Sequence, residues 1–492
     1  MKAVAKQSIL TTISSYIGVL IGYFNVLWLL PYALSPDQIG LFRTIQDMAL
    51  LFVPFAQLGI GNGITRFYPK VKSHQFAFFS MSLVVSLVGF LLLSILFFAF
   101  RENLVTAFAT NSPEVIDFFA VVLFVTFFSV LNSVLDAFCR SFLKIAVPAF
   151  FREVILRLLV AILVLIYLIN WISFDWLMWG LAVVYLITLM GMIVYMKINQ
   201  IFRLTFDFGG FPPGFIREFL KYSLITLFGT TGSLLIMKID SLMVTSLIGL
   251  EANAIYTIAF SIAIVIEMPR RAISQVVMPV IAEHFSTGAG DKINKLYKEV
   301  AVHQTLICLL IFLGIWSNIH NLYHFVPNNE IYESGKWVVF WIGLGKITDI
   351  LFSVNGEIIV YSKYYIFNIT ATLIMSVAVI TLNLFLIPLY GIEGAAVASF
   401  SAMLLYNLIK YIYVKIRLGF DPFSWDVLKI SILGLFTFGL QYFLFQGMKS
   451  GINDLMIRSL VIILIYLGGI YFWKIAEKSQ KQVFEKIKGL RP

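Results

Sequence analysis

The sequence predicts an all-α polytopic membrane protein of about fourteen transmembrane helices, and three observations predict it. Of its 492 residues, 60% are hydrophobic and only 13% are charged, against roughly 25% charged in a soluble domain. The mean hydropathy is +0.92. The apolar runs are long and continuous, as a bilayer core demands of spanning helices of about 20 residues. Inside hydrocarbon every backbone N–H and C=O needs a protein partner, which selects helices or closed barrels. A membrane barrel alternates apolar and polar residues over segments of about ten, and these runs do not alternate.

The spans fall at about 9–31, 44–67, 76–100, 115–138, 146–169, 176–196, 218–247, 253–280, 299–318, 337–360, 364–386, 391–414, 428–447 and 456–474. The first follows Met1-Lys2-Ala3-Val4-Ala5-Lys6, and no small-residue cleavage site comes after it. It reads as a retained helix rather than a secretory signal. The connecting loops are short and carry turn residues: Ser35-Pro36-Asp37, Asn111-Ser112-Pro113, Gly209-Gly210-Phe211-Pro212-Pro213 and Pro327-Asn328-Asn329. None is long enough for a folded soluble domain, so function is expected within the helix bundle or at its mouths. Cys139 and Cys308 lie far apart in apolar runs without metal spacing and read as small buried hydrophobes. His320 and His324 lack a third ligand, so no metal is expected.

Positively charged loops stay cytoplasmic. With the N-terminus placed there, that side collects 27 of the 36 Lys and Arg residues. The opposite side holds five (Arg43, Arg101, Lys336, Lys449 and Arg458), and the spans hold four. Both termini are therefore expected in the cytoplasm. This topology and anionic lipid account for the net charge of +10, so no nucleic-acid partner is expected. The basic tail 476–492, with Lys474 before it, reads as an amphipathic helix on the inner leaflet. Trp28, Trp171, Trp176, Trp179, Trp337 and Trp473 sit near span ends and suit interfacial belts.

A short internal repeat is visible. Leu34-Ser35-Pro36-Asp37-Gln38-Ile39-Gly40-Leu41-Phe42 joins spans one and two. Ile248-Gly249-Leu250-Glu251-Ala252-Asn253-Ala254-Ile255-Tyr256 joins spans seven and eight. Each has an acid, a small residue and an aromatic in matching order. Pro69 and Pro279 follow near the cytoplasmic ends. Copies six spans apart share orientation, a parallel-repeat design used by transporters.

The run Asn383-Leu384-Phe385-Leu386-Ile387-Pro388-Leu389-Tyr390-Gly391-Ile392-Glu393-Gly394-Ala395-Ala396-Val397-Ala398 fits a tight joint between two helices. Pro388 ends one helix, Gly391 turns the chain, and small residues let the next helix pack closely. This run resembles the joint between the last two core helices of Wzx-like polysaccharide flippases. They belong to the multidrug/oligosaccharidyl-lipid/polysaccharide (MOP) exporter superfamily. Leu34 to Phe42, Gly59-Ile60-Gly61-Asn62-Gly63-Ile64-Thr65-Arg66-Phe67-Tyr68-Pro69 and Ile239-Asp240-Ser241-Leu242 resemble the same family.

The resemblance implies a MATE-like bundle. It has an N-terminal lobe at 1–200, a cytoplasmic linker at 201–217 and a C-terminal lobe at 218–416. Two extra helices at 417–475 and the tail at 476–492 follow. The implied activity is transport of an undecaprenyl-pyrophosphate-linked oligosaccharide (an O-antigen, capsule or exopolysaccharide unit) across the bacterial inner membrane by alternating access. Implied partners are that lipid-linked oligosaccharide, the bilayer, a polysaccharide polymerase and a chain-length regulator.

Charges inside spans cost about 2.5–3.5 kcal/mol each on insertion scales and therefore face a cavity or a partner. Arg152, Arg157, Lys238 and Lys346 are the expected cavity cations for a pyrophosphate. Arg66 joins them near the cytoplasmic end, where snorkelling competes. Arg supplies forked hydrogen bonds to such an anion and Lys a point charge. Glu153 and Arg157, four apart, share a helix face, leaving Arg152 the less compensated cation. Lys346 and Asp349, three apart, are placed to pair with each other. Lys238 and Asp240 lie about 200° apart around their helix and cannot pair. Asp240 and Asp349 are the candidates for coupling to a proton or sodium gradient. No cofactor is expected.

Two other readings compete. One is a different member of the superfamily, a lipid II flippase or a multidrug/cation antiporter. A cationic interior disfavours cationic drugs, which want carboxylates. The other is a membrane-embedded polymerase or ligase. The short outer loops and the lack of a convincing Asp/Glu/His cluster argue against an enzyme.

Overall fold

The computed structural model describes residues 2–445 and 450–475. The expected basic tail at 476–492 lies outside the described residues. Among the described residues the chain is helical, without a strand. The first helices are α1 (Lys2–Phe24), α2 (Pro36–Gln57), α3 (Ile60–Phe67), α4 (Gln75–Ala99), α5 (Phe119–Ser141), α6 (Leu156–Leu168), α7 (Phe174–Ile198) and α8 (Phe215–Leu247). They are followed by α9 (Leu250–Ala263), α10 (Met268–Ser286), α11 (Gly290–Ser317), α12 (Lys336–Leu351), α13 (Asn355–Tyr361), α14 (Tyr365–Leu418), α15 (Trp425–Leu444) and α16 (Ile452–Phe472). Shorter turns connect them.

Among the described residues, eleven helical stretches are long and apolar enough to cross a membrane, or twelve if Asn329–Leu351 and α13, bent by 49°, form one span. The expected count of fourteen is not reached on length and apolarity. Two segments lie behind the difference. Helix α14 runs for 54 residues, but Gly391 breaks it with φ 61° and ψ −141°, a conformation glycine adopts at little steric cost. Pro388 sits just before that break. The segment 146–168 carries Arg152, Glu153 and Arg157, which lower its apolarity.

Helix α2 begins at Pro36, eight residues before the expected 44. Ser35 caps it: the Ser35 hydroxyl accepts from the Gln38 N–H at 3.3 Å, and the Gln38 side chain accepts from the Ser35 N–H at 3.1 Å. Pro36 is suited to the first helical position. The same Ser-Pro-Asp string that reads as a turn is thus a helix start. The far end of α2 is broken at Leu58 and Gly59, which are both left-handed (φ 52° and 69°), before α3 resumes.

Two five-residue π-helical turns interrupt the helices, at Asn25–Leu29 and Phe151–Ile155. A π turn disturbs the normal carbonyl pairing. Here the Asn25 amide donates to the Arg157 carbonyl at 2.9 Å. Gly18 of α1 lies directly against the Glu153 backbone, where a Cβ would collide.

The chain forms two compact units, Met1–Ile258 with Ile387–Ile392, and Ala259–Leu386 with Glu393–Pro492. In the first, the two copies of the repeat meet. Thr44 and Thr245 hydroxyls are 2.7 Å apart, the Asn253 amide donates to Thr44 at 2.9 Å, and Ser241 donates to Asn253 at 2.9 Å. All four side chains are buried, and each polar group is satisfied locally. Edge-to-face rings of Phe67, Phe78, Phe215 and Phe219 pack the same unit at centroid distances of 5.2–5.9 Å. In the second unit, Val354, Ile358, Ile359 and Val414 are fully buried around Tyr297, whose hydroxyl donates to the Phe352 carbonyl at 3.0 Å.

Gly40 packs so closely on Leu250 that a Cβ would run into the Leu250 carbonyl. Gly40→Ala is expected to destabilise the protein by about 1–3 kcal/mol. The check is a lowered thermal unfolding temperature of the purified protein in detergent; an unchanged temperature would mean the backbone there yields freely.

Candidate functional site

The π turn before α6 projects Arg152 and Glu153, and Arg157 follows one helical turn later. Arg152 Nη1 lies 3.0 Å from Asp136 Oδ2, and its Nε lies 3.1 Å from Glu153 Oε1. Arg157 Nη2 meets Glu153 Oε2 at 3.1 Å. Arg140 approaches Asp136 from α5 at 3.7 Å. Arg152 therefore has two carboxylate partners, which corrects its reading as the less compensated cation. The correction comes from Asp136, which lies on another helix.

These groups line a cavity of about 530 Å³ in the first unit, together with Ser129, Asn132, Ser133, Tyr185, Thr188 and Met192. Its wall carries three arginines and two carboxylates, leaving one positive charge in excess. The Arg152 side chain remains 55% exposed. The Arg157 Nη1, Asn132 Oδ1 and Ser129 Oγ atoms are buried without a protein hydrogen-bond partner. Such atoms are costly unless water or a ligand meets them. Low-dielectric walls strengthen the field of the excess charge.

Arg43 belongs beside this cavity, although its sequence position suggested an outer loop. It sits on α2, one turn before Asp47, and its charged neighbours are Asp47 and Arg157. Its Nε is buried without a hydrogen-bond partner. The early start of α2 at Pro36 brings Arg43 inside, and the Ser35 capping box was the available signal.

The other expected cations lie elsewhere. Lys238 reaches Asp47 at 2.5 Å. Asp240 is buried and accepts from the Tyr256 hydroxyl at 2.8 Å. In the second unit, Lys346 pairs with Glu267 at 2.5 Å and Asp349 with Arg270 Nε at 3.1 Å. The expected Lys346–Asp349 pairing is thus replaced by two pairs between helices. Glu267 and Arg270 are also three apart, so the same four charges could pair along each helix, but here they pair across helices. Arg271 adds a second cation to Glu267 at 3.0 Å. Arg66 is exposed, its guanidinium 4.2 Å above the Tyr222 ring. Of the five expected cations, the structure brings Arg152 and Arg157 to one cavity and holds Lys238 and Lys346 in separate pairs. Among the described residues no group of His, Cys, Asp and Glu is placed to hold a metal.

Removing one partner of a buried ion pair leaves an uncompensated charge and costs about 3–5 kcal/mol. Lys238 keeps some solvent access, 27% of its side chain, so Asp47→Ala is expected near the lower end. The double variant Asp47→Leu/Lys238→Met should recover only part of the loss, because Arg43 also loses its carboxylate neighbour. Thermal unfolding of the three proteins in detergent checks this; equal stability of Asp47→Ala and wild type would show the pair to be idle.

The geometry sits on a fold shared with known transporters. The solved structures that resemble it include a lipid II flippase, MurJ, in an inward closed conformation. That match has a TM-score of 0.72 and 17% identity, and covers 95% of this chain and 99% of that one. A multidrug-resistance MATE transporter of the MOP superfamily, inward-facing, matches with TM-score 0.60 and 16% identity over 84% of this chain and 94% of that one. A MOP-superfamily transporter from Pyrococcus furiosus, described as having a binding pocket of reversed polarity, matches with TM-score 0.58 and 15% identity over 85% and 96%. At these identities the likeness is one of fold. No curated protein sequence matches the chain. The model of a polysaccharide biosynthesis protein family matches residues 4–285, more than half of the sequence. A multi-pass helical membrane protein with a MOP-type fold, the chain belongs to the polysaccharide biosynthesis protein family.

Proposed function

We propose that the protein moves a polyprenyl-pyrophosphate-linked oligosaccharide, with undecaprenyl as the lipid, from the cytoplasmic to the periplasmic leaflet of the bacterial inner membrane. The observation that carries this reading is the cavity lined by Arg140, Arg152 and Arg157. A pyrophosphate is a multivalent anion, and arginine meets its oxygens with parallel N–H donors. Asp136 and Glu153 hold the guanidiniums in place while the site is empty. An entering phosphate competes with those carboxylates, so the site binds without trapping, as a transport site must. Movement by alternating access between two six-span lobes belongs to the same proposal. So does coupling to a proton or sodium gradient. Asp240, which accepts from neutral Tyr256, is the better carrier there; Asp349 is committed to Arg270.

A lipid II flippase is the second reading, favoured by the TM-score of 0.72 to MurJ. It keeps the same pyrophosphate chemistry and differs in the sugar. A cationic-drug exporter fits poorly, because the cavity carries a cationic excess.

Each charge-assisted hydrogen bond is worth about 1.5–3 kcal/mol, so losing both arginines should matter by a factor of ten or more. Arg152→Ala/Arg157→Ala is expected to slow flipping of a lipid-linked oligosaccharide in reconstituted vesicles at least about tenfold. Flipping at the wild-type rate, with equal protein incorporated, would refute the site.

A further inference from the structure

Helix α8 exposes both apolar and polar side chains: Leu224, Ile225 and Phe228 on the one hand, Thr230 and Ser233 on the other. Hydrocarbon offers the polar ones no hydrogen-bond partner.

Four of its polar groups lie on one face. Tyr222, Thr226, Thr230 and Ser233 recur at spacings of four, four and three, the repeat of a single helical face. Helix α3 adds Asn62, Thr65 and Arg66, which share a face by the same spacing. Asn62, Thr65, Arg66, Thr230 and Ser233 are exposed. The two faces touch: the Asn62 amide donates to Thr230 Oγ1 at 3.4 Å, and Arg66 lies over Tyr222. The Thr226 hydroxyl donates to the Gly59 carbonyl at 3.2 Å, where α3 begins.

The hydroxyls of Thr230 and Ser233 donate to carbonyls four residues back, each at 3.0 Å. Their protons are occupied, so each can offer a further ligand only acceptor capacity, part of which Asn62 already takes at Thr230. Back-bonded hydroxyls alone also occur against lipid. Asn62 and Arg66 do not fit that setting. An amide with two N–H groups and a carbonyl, and a guanidinium with five donors, stand exposed on the same strip.

We propose that this strip, Asn62, Thr65 and Arg66 with Thr226, Thr230 and Ser233, binds the sugar hydroxyls of the transported lipid. The inference rests on the flippase reading, but it shares no residue with the Arg152–Arg157 cavity. An uncharged oligosaccharide presents many O–H groups, each a donor and an acceptor. The strip offers hydroxyl and amide acceptors along one helical face and amide and guanidinium donors beside them. The phosphate is held by the cavity, and the strip discriminates among sugars. Unpaired polar groups on a hydrogen-bonding site penalise ligands that lack the matching hydroxyls.

The test uses full-length protein in detergent and two probes: undecaprenyl pyrophosphate without sugar, and the same lipid carrying the host's own repeat unit. Wild type is expected to bind the glycosylated lipid at least about tenfold more tightly, a difference of about 1.4 kcal/mol. Asn62→Leu/Thr230→Val should abolish that preference and leave affinity for the bare lipid unchanged. Arg152→Ala/Arg157→Ala should weaken both lipids alike. If the strip variant keeps the preference, or wild type binds both lipids equally, the strip is overturned while the flippase reading stands. If wild type binds neither lipid, the flippase reading fails and the strip falls with it. Should Asn62→Leu/Thr230→Val lose both lipids through misfolding, the exposed single variant Ser233→Val is judged by the same two criteria.

Discussion

Hydrocarbon does not hydrate a charge, and this fact shapes the interior of the protein. Each intramembrane cation singled out by the sequence has met a carboxylate, an aromatic face or a water-accessible cavity. Lys238 meets Asp47, Lys346 meets Glu267, Arg270 meets Asp349, and Arg66 lies on Tyr222. The crosswise Lys346–Glu267 and Arg270–Asp349 pairs tie elements of the second unit together. Both ends of each pair are held by a partner.

The Arg152 region differs in opening onto a cavity. Its arginines outnumber its carboxylates, three of its polar atoms have no protein partner, and Arg152 keeps half its surface open. The backbone beneath it is a π turn, a local irregularity that re-aims side chains and is frequent at functional sites. Asn25 and Gly18 support that irregularity, one by meeting the Arg157 carbonyl and one by allowing α1 to approach the Glu153 backbone. What separates the two clusters is solvent access: the Arg152 side chain is 55% exposed, whereas Lys346, Glu267, Arg270 and Asp349 are 12–14% exposed.

The repeat gains a physical role in the first unit. Its two copies meet, with Gly40 against Leu250 and a closed network of Thr44, Thr245, Asn253 and Ser241. The small residue of the first copy is needed for close approach, and the asparagine of the second supplies donors and an acceptor. A network this fully satisfied rigidifies its surroundings. It also explains why α8 packs with the first unit, although sequence spacing associates it with the second half of the chain.

Composition and run length determined the helical membrane class without any tertiary information, because hydrocarbon imposes the same demand on every backbone group in it. The sequence also determined the Gly391 joint, where only glycine tolerates the required backbone, and the separation of Lys238 from Asp240, which is fixed by helix geometry. It located Arg152 and Lys346 as residues needing company. Which company they found was decided by packing: Asp136 and Glu267 approach from helices whose neighbours no local spacing reveals. The starts and breaks of α2 and the inward place of Arg43 were legible only in part, since Ser35-Pro36-Asp37 codes equally for a turn and for a helix cap. The polar face joining α3 to α8 was beyond sequence reading for the same reason. A serine or threonine in an apolar run is ambiguous until the fold shows whether lipid, protein or water stands beside it.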